Sequence, residues 1–253
     1  MLQLVGNAQD ITCAINSFRL SYHQDFANVQ IVAQRYLQAE PTSEHASLLA
    51  QALSTALRNW GACRRRSPSL RPTSQIESFL RNKQVHTSLL KLSRHSLESF
   101  SLTRGGDRVF NPGASFSDAR RFDIEILSTL ASLASGLFIN NTSVTYPMKA
   151  LLLITGLMPA LDSQVRKGLR LAGKVGFMGQ QLLPQNTHQA GGRRICYLPF
   201  QLGQCWELNR EILLEGVRKS RHPGLESAPG RVFDVLLFMQ AQSKRKMILK
   251  ADK

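Results

Sequence analysis

The chain has 253 residues, enough to bury a substantial core in one domain or two small lobes, and its hydrophobic fraction of 43% excludes wholesale disorder. Thirty-two lysines and arginines face 17 acidic residues, a formal net charge of +15. That surplus favours a polyanionic partner, because neutralising phosphates releases counterions and speeds encounter. The longest apolar run, residues 150–161, is broken by Thr155, Gly156 and Pro159 and is too short for a membrane span.

The N-terminus lacks the basic and apolar regions of a secretion signal. The four cysteines, Cys13, Cys63, Cys196 and Cys205, are scattered and read as free thiols of a reducing cytosol, so a cytoplasmic location is expected. Neither they nor the six histidines show metal-ligand spacing. GKVGFMG at 173–179 lacks the ending of a phosphate-binding loop, so no nucleotide, metal or other cofactor is expected.

In chain order, Leu48, Leu49, Leu53, Leu57 and Trp60 form a helical apolar stripe that starts at Thr42 or Ser43 and stops at Gly61. Arg64, Arg65 and Arg66 follow that helix end, either as dipole-favoured cations or as a phosphate clamp. Ser74 to Glu77 reads as a capping box, and a further helix is predicted over about 85–99. Residues 103–117 hold four glycines or prolines and read as a loop. A helix at about 118–136 carries Phe122, Ile126, Leu130 and Leu133 on one face.

Then comes YPMKALLLITGLMPALDSQVRKGLRL at 146–171, which reads as a buried helix ending at Gly156, a Pro159 turn, and a second helix opened by Asp162. Glycines 173, 176 and 179 punctuate the next stretch. Gly192-Arg193-Arg194 is read as a glycine loop able to approach a nucleic-acid backbone, and 195–198 as a short strand. Helices at about 204–218 and 231–241 and a basic tail complete the chain. The fold class expected is mainly α: a compact multi-helix domain with little or no sheet, divisible into two helical lobes with a cleft. The divisions are 1–102, the 103–117 loop, 118–241 and the 242–253 tail.

Asp162 is the leading candidate for chemistry. As a helix N-cap its carboxylate accepts the free amides of the first turn. The same position keeps it ionised, so it can also stabilise an oxocarbenium-like sugar in a transition state. Arg166 and Arg170 lie on one stripe with it, and together with Lys167 they suit contacts to backbone phosphates. Lys149, in the first turn of the preceding helix, is either a solvated lysine or an amine nucleophile. Tyr146 is the best-placed ring for stacking on an extruded base, with Phe110 and Tyr197 behind it. Phe79, Phe122, Phe233 and Phe238 read as core.

The order of Lys149, a short turn, then Pro159-x-x-Asp162 resembles the helix–hairpin–helix DNA glycosylases. The resemblance implies a duplex-DNA partner gripped by its phosphates, a flipped base, a catalytic role for Asp162 and a sugar-attacking role for Lys149. Thr145 to Met148 stand where that family has a glycine-rich turn, and Gln164 stands where it commonly has histidine. A broader likeness to uncharacterised bacterial helical proteins rests on Trp60-Gly61-x-x-Arg64, the Lys149 to Asp162 segment, and RVFDVLLF at 231–238; it implies that the three pack together. The function expected is excision of a damaged or modified base from DNA. The alternatives are a non-enzymatic DNA- or RNA-binding protein and a helical module for an acidic protein partner.

Overall fold

The computed structural model describes residues 1–114, 116, 118–177, 182–184, 186–242 and 247–251. Among them are eleven α-helices and three two-stranded antiparallel ladders, so the fold is mainly α. None of the helices is long and apolar enough to cross a membrane. A single cluster of buried apolar side chains runs from Leu2 to Leu249 and draws on both halves of the chain.

The first forty residues, left without elements above, form α1 (Ala8–Ser17) and α2 (Leu20–Gln38). Asn7 and Asp10 close a reciprocal capping box on α1. Helix α3 (Ser43–Asn59) starts at its Thr42 cap as expected, although Leu48 of its apolar stripe is exposed. The predicted capping box at Ser74 is not formed. Pro72 holds the N-cap of α4 (Thr73–Leu80), and Glu77 instead accepts from Ser43, tying α4 to α3.

Asn82 caps α5 (Lys83–Ser93), which ends well short of residue 99. A 3-10 turn then leads into β3 (Phe100–Leu102), antiparallel to β4 (Arg108–Phe110). The predicted 103–117 loop is therefore largely a hairpin. It is held by a cluster of Phe100, Phe110, Phe116, Phe122 and Phe200, and by Arg108, which pairs with both oxygens of buried Asp123. Phe110 is thus partly buried against the core, and Tyr197 donates to the Gly106 carbonyl under the Arg108 guanidinium.

Helix α6 (Ala119–Leu137) is capped by Asp118 and buries Phe122, Ile126, Leu130 and Leu133. Its end enters β5 (Phe138–Ile139), paired with β2 (Ser69–Leu70). Helix α7 (Thr145–Thr155) is buried almost all round and stops at Gly156, whose φ of +67° is left-handed and favours glycine. Helix α8 (Ser163–Leu171) follows the Asp162 cap.

Residues 195–198 form no strand, and Gly192-Arg193-Arg194 form no loop. Both lie in α9 (Ala190–Leu208), which absorbs Pro199. The expected 204–218 helix is split at Asn209 into the end of α9 and α10 (Arg210–Arg218). Helix α11 (Pro229–Gln242) lies against α8, with the Leu237 carbonyl occupying the space a side chain at Gly168 would need.

Part of the basic tail forms a strand: β6 (Leu249–Ala251) pairs with β1 (Leu2–Leu4). Gln240, 1% exposed, donates to the carbonyls of Gly168 and Leu249 and accepts from the amides of Ile248 and Leu249. It pins that strand to α8. Gly179 and residues 243–246, 252 and 253 lie outside the described residues.

Candidate functional site

Asp162 occupies the N-cap of α8, and its Oδ1 accepts from the amides of Gln164 and Val165, each at 2.9 Å. The cap reading of this residue is therefore correct as local structure. Its second oxygen, Oδ2, lies 4.0 Å from the Lys149 ammonium, with the two side chains 20% and 10% exposed respectively. One carboxylate thus serves a helix end with one oxygen and faces a buried cation with the other.

Lys149 is not the solvated first-turn lysine its sequence position allows. It is buried, donates to the Trp60 carbonyl at 2.6 Å, and sits 4.9 Å from the centre of the Tyr146 ring. Trp60 ends α3, where the free carbonyls and the helix dipole favour a cation. The ammonium therefore bridges the negative end of α3 and the Asp162 carboxylate at the start of α8. Burial lowers its pKa, opposed by Asp162 and Asp234 and reinforced by Arg64 and Arg231.

Tyr146 is half-buried. Its hydroxyl donates to the Gly61 carbonyl at 2.7 Å and pairs with the Ser67 hydroxyl at 2.6 Å. Burial raises its pKa, partly offset by Ser67 and Arg64. Arg64, Arg65 and Arg66 are exposed in the turn between α3 and β2, and Arg64 acts electrostatically on both Tyr146 and Lys149.

On the other side, α8 extends about 13 Å from the pair, at 1.5 Å per residue. It carries Lys167 and Arg170 on its exposed face. Arg166 is half-buried, and its Nη1 is buried without a protein partner. Burial lowers the Arg166 pKa, opposed by Asp162, and the group stays cationic. Past α8, Gly176 lies beneath the Arg194 guanidinium of α9. Arg193 next to it is exposed. The basic residues at 64–66 and along α8 thus flank the Lys149–Asp162 pair, and Arg194 lies beyond the far end of α8.

Behind the pair lies a second layer. Arg231, 1% exposed, has its guanidinium over the rings of Phe18, Phe26 and Trp60, at 4.9, 5.3 and 4.7 Å. It pairs with Asp234 at 2.5 Å and donates to the Tyr22 carbonyl. Asp234 accepts from the Ala160 amide in the turn before Asp162, at 3.0 Å. Asp25 accepts from the Trp60 indole at 3.1 Å and from Asn59.

The segments around Trp60, Lys149 to Asp162, and Arg231 thus pack as one unit. Asp25 carried no signal in the sequence, being one acidic residue on an unassigned helix. Asp234 was visible only as part of the late RVFD segment.

Among the described residues, no group of three or more His, Cys, Asp or Glu side chains converges as metal ligands. Cavities of about 680, 630 and 200 Å³ are lined by residues outside the pair. No protein-family model, curated protein or solved structure matches the chain.

Proposed function

We propose that the protein is a DNA glycosylase-type hydrolase that flips a damaged or modified base out of duplex DNA and releases it. The observation that carries this reading is the fixed Asp162 carboxylate facing Lys149, with Arg64 acting on Lys149 from the turn after α3 and basic residues along α8. Arg64, Arg65, Arg66, Arg166, Lys167, Arg170, Arg193 and Arg194 would hold phosphates, placing the sugar of an extruded nucleotide near Asp162. Its carboxylate would stabilise the cationic sugar as the C1′–N bond breaks. Water then bonds to C1′, and its proton leaves with the base.

Lys149 fits a positioning role better than a nucleophilic one. Its amine is buried, committed to the Trp60 carbonyl, and held against Asp162. The hydrolytic route, leaving an abasic site, is accordingly favoured over amine attack with strand scission. Tyr146, tethered through its hydroxyl, offers only part of a ring face.

The test is incubation with duplexes carrying a panel of modified bases, followed by alkaline cleavage, with a parallel borohydride-trapping reaction. Alkali-dependent cleavage without a trapped covalent complex supports the hydrolytic route. A trapped complex restores Lys149 as nucleophile, and no cleavage of any duplex removes the enzymatic reading. A non-enzymatic DNA- or RNA-binding protein is the second reading, favoured by the two cap hydrogen bonds that already employ Asp162 Oδ1 and by the exposed arginines, which need no reaction to explain them.

A further inference from the structure

We propose that Asp234, braced by Arg231, is a positioning residue for the Asp162 site, clamping the turn that delivers Asp162 to the start of α8. The inference rests on the base-excision reading for its catalytic consequence, and on geometry alone for the clamp.

The connection has three links. Asp234 Oδ1 accepts from the Ala160 amide at 3.0 Å, two residues before Asp162. Asp234 Oδ2 is held by the Arg231 guanidinium, which is itself confined by Phe18, Phe26 and Trp60. The Trp60 carbonyl holds Lys149, which faces Asp162 Oδ2. Asp162 is therefore gripped from two directions, through its backbone by Asp234 and through its carboxylate by Lys149, and both grips end on the same Arg231–Trp60 contact. A buried ion pair is an expensive way to fill space, since both charges lose hydration. Here it holds the turn carrying the candidate catalytic carboxylate, together with Thr145, whose hydroxyl donates to the Leu161 carbonyl at 3.0 Å.

The charged groups around Asp234 are Arg231 on its own helix, Asp162 and Lys149 flanking the turn, and Asp25 behind Arg231. Burial pushes the Asp234 carboxyl up to about 6, with Asp162 adding to the rise and Arg231 opposing it. The clamp consequently changes charge state within an accessible pH range.

The experiment is an NMR titration of the whole chain from pH 8 to pH 5, following the amides of Ala160, Gln164 and Val165. In the wild type all three should shift with a common midpoint near 6, and Asp234→Asn should abolish that midpoint at all three. Titration of Ala160 alone, or persistence of the midpoint at Gln164 and Val165 in Asp234→Asn, overturns the clamp.

The second arm compares base release. Asp234→Ala removes the acceptor for Ala160 and should slow release by about tenfold or more, since displaced reacting groups are costly. Asp234→Asn keeps an oxygen acceptor and should restore most of the rate. Duplex affinity should be the same in all three proteins, because the phosphate-facing arginines are untouched. Equal rates for folded Asp234→Ala and wild type overturn the positioning role. If Asp234→Ala does not fold, the titrations of wild type and Asp234→Asn decide alone. If the wild type releases no base, the base-excision reading falls, and the amide titration still decides the clamp.

Discussion

Replacing Asp162 by asparagine separates a helix cap from a catalytic anion. Asparagine and aspartate cap equally well, so the bonds from Gln164 and Val165 at 2.9 Å should survive with a change well under ~1 kcal/mol. The structure adds a second term. At 4.0 Å the Lys149–Asp162 attraction is about 4 kcal/mol at an effective dielectric near 20, before the cost of dehydrating both groups. Lys149 keeps the Trp60 carbonyl, so the net destabilisation should be ~1–3 kcal/mol, below the cost of orphaning a fully buried charge. In a chain of this size that corresponds to a fall in Tm of roughly 2–6 °C.

Base release should drop by about 10²–10³, the usual effect of removing one well-placed electrostatic group. Duplex affinity should hold or rise slightly, since an anion near the phosphates is gone. The assays are thermal unfolding, single-turnover base release and equilibrium duplex binding on the same preparation. A folded variant releasing base at the wild-type rate would refute the catalytic role and leave Asp162 as a cap.

Duplex binding should weaken with salt, log K falling against log salt with a slope near −4 to −5 if about five cations contact phosphates; a slope near zero removes the nucleic-acid partner. Arg166→Ala should weaken binding to all sequences alike and reduce that slope by about one, measured by titration of unrelated duplexes; an effect confined to one sequence contradicts a phosphate role. Gln240→Ala removes four hydrogen bonds to backbone groups and should cost ~2–4 kcal/mol in urea unfolding, with a value under ~1 kcal/mol showing that the pinned strand matters little. Burial, with Arg231 and His222 adding, lowers the His23 pKa from 6.5 to about 4, so its contribution to stability is full above 6.5 and is lost as pH falls toward 4. Asp234, with its raised pKa, pulls the opposite way in part of that window, so the readout is the difference between wild type and His23→Gln. Parallel pH–stability curves for the two proteins would refute the assignment.

Periodicity and punctuation made much of the helical framework legible. The stripe ending at Trp60, the face of α6, the stop at Gly156 and the cap at Asp162 are local patterns, and local hydrogen bonding enforces them. The misreadings share a cause. Ser74 has the residue type for a cap, yet Pro72 caps α4 and Glu77 bonds across to Ser43. Residues 195–198 are apolar enough for a strand, yet they continue a helix that packs against β3. Residues 103–117 contain the breakers of a loop, yet five phenylalanines and the Arg108–Asp123 pair fold most of them into a hairpin. In each case a contact from a distant segment outweighed a local propensity worth less than about 1 kcal/mol.

The chain by itself determined the helical class, the excess of positive charge and the capping role of Asp162, because each depends on residue type and short-range spacing. Only the tertiary structure decided that Lys149 is a buried bridge between two helix ends. The same holds for Asp25 and Asp234, separated by more than two hundred residues, which meet around Trp60 and the Pro159 turn. The physical reason is that burial of a charge is a property of everything packed around it. A lysine near the start of a helix is buried only where another helix end and a carboxylate from elsewhere in the chain close over it, as Trp60 and Asp162 do here.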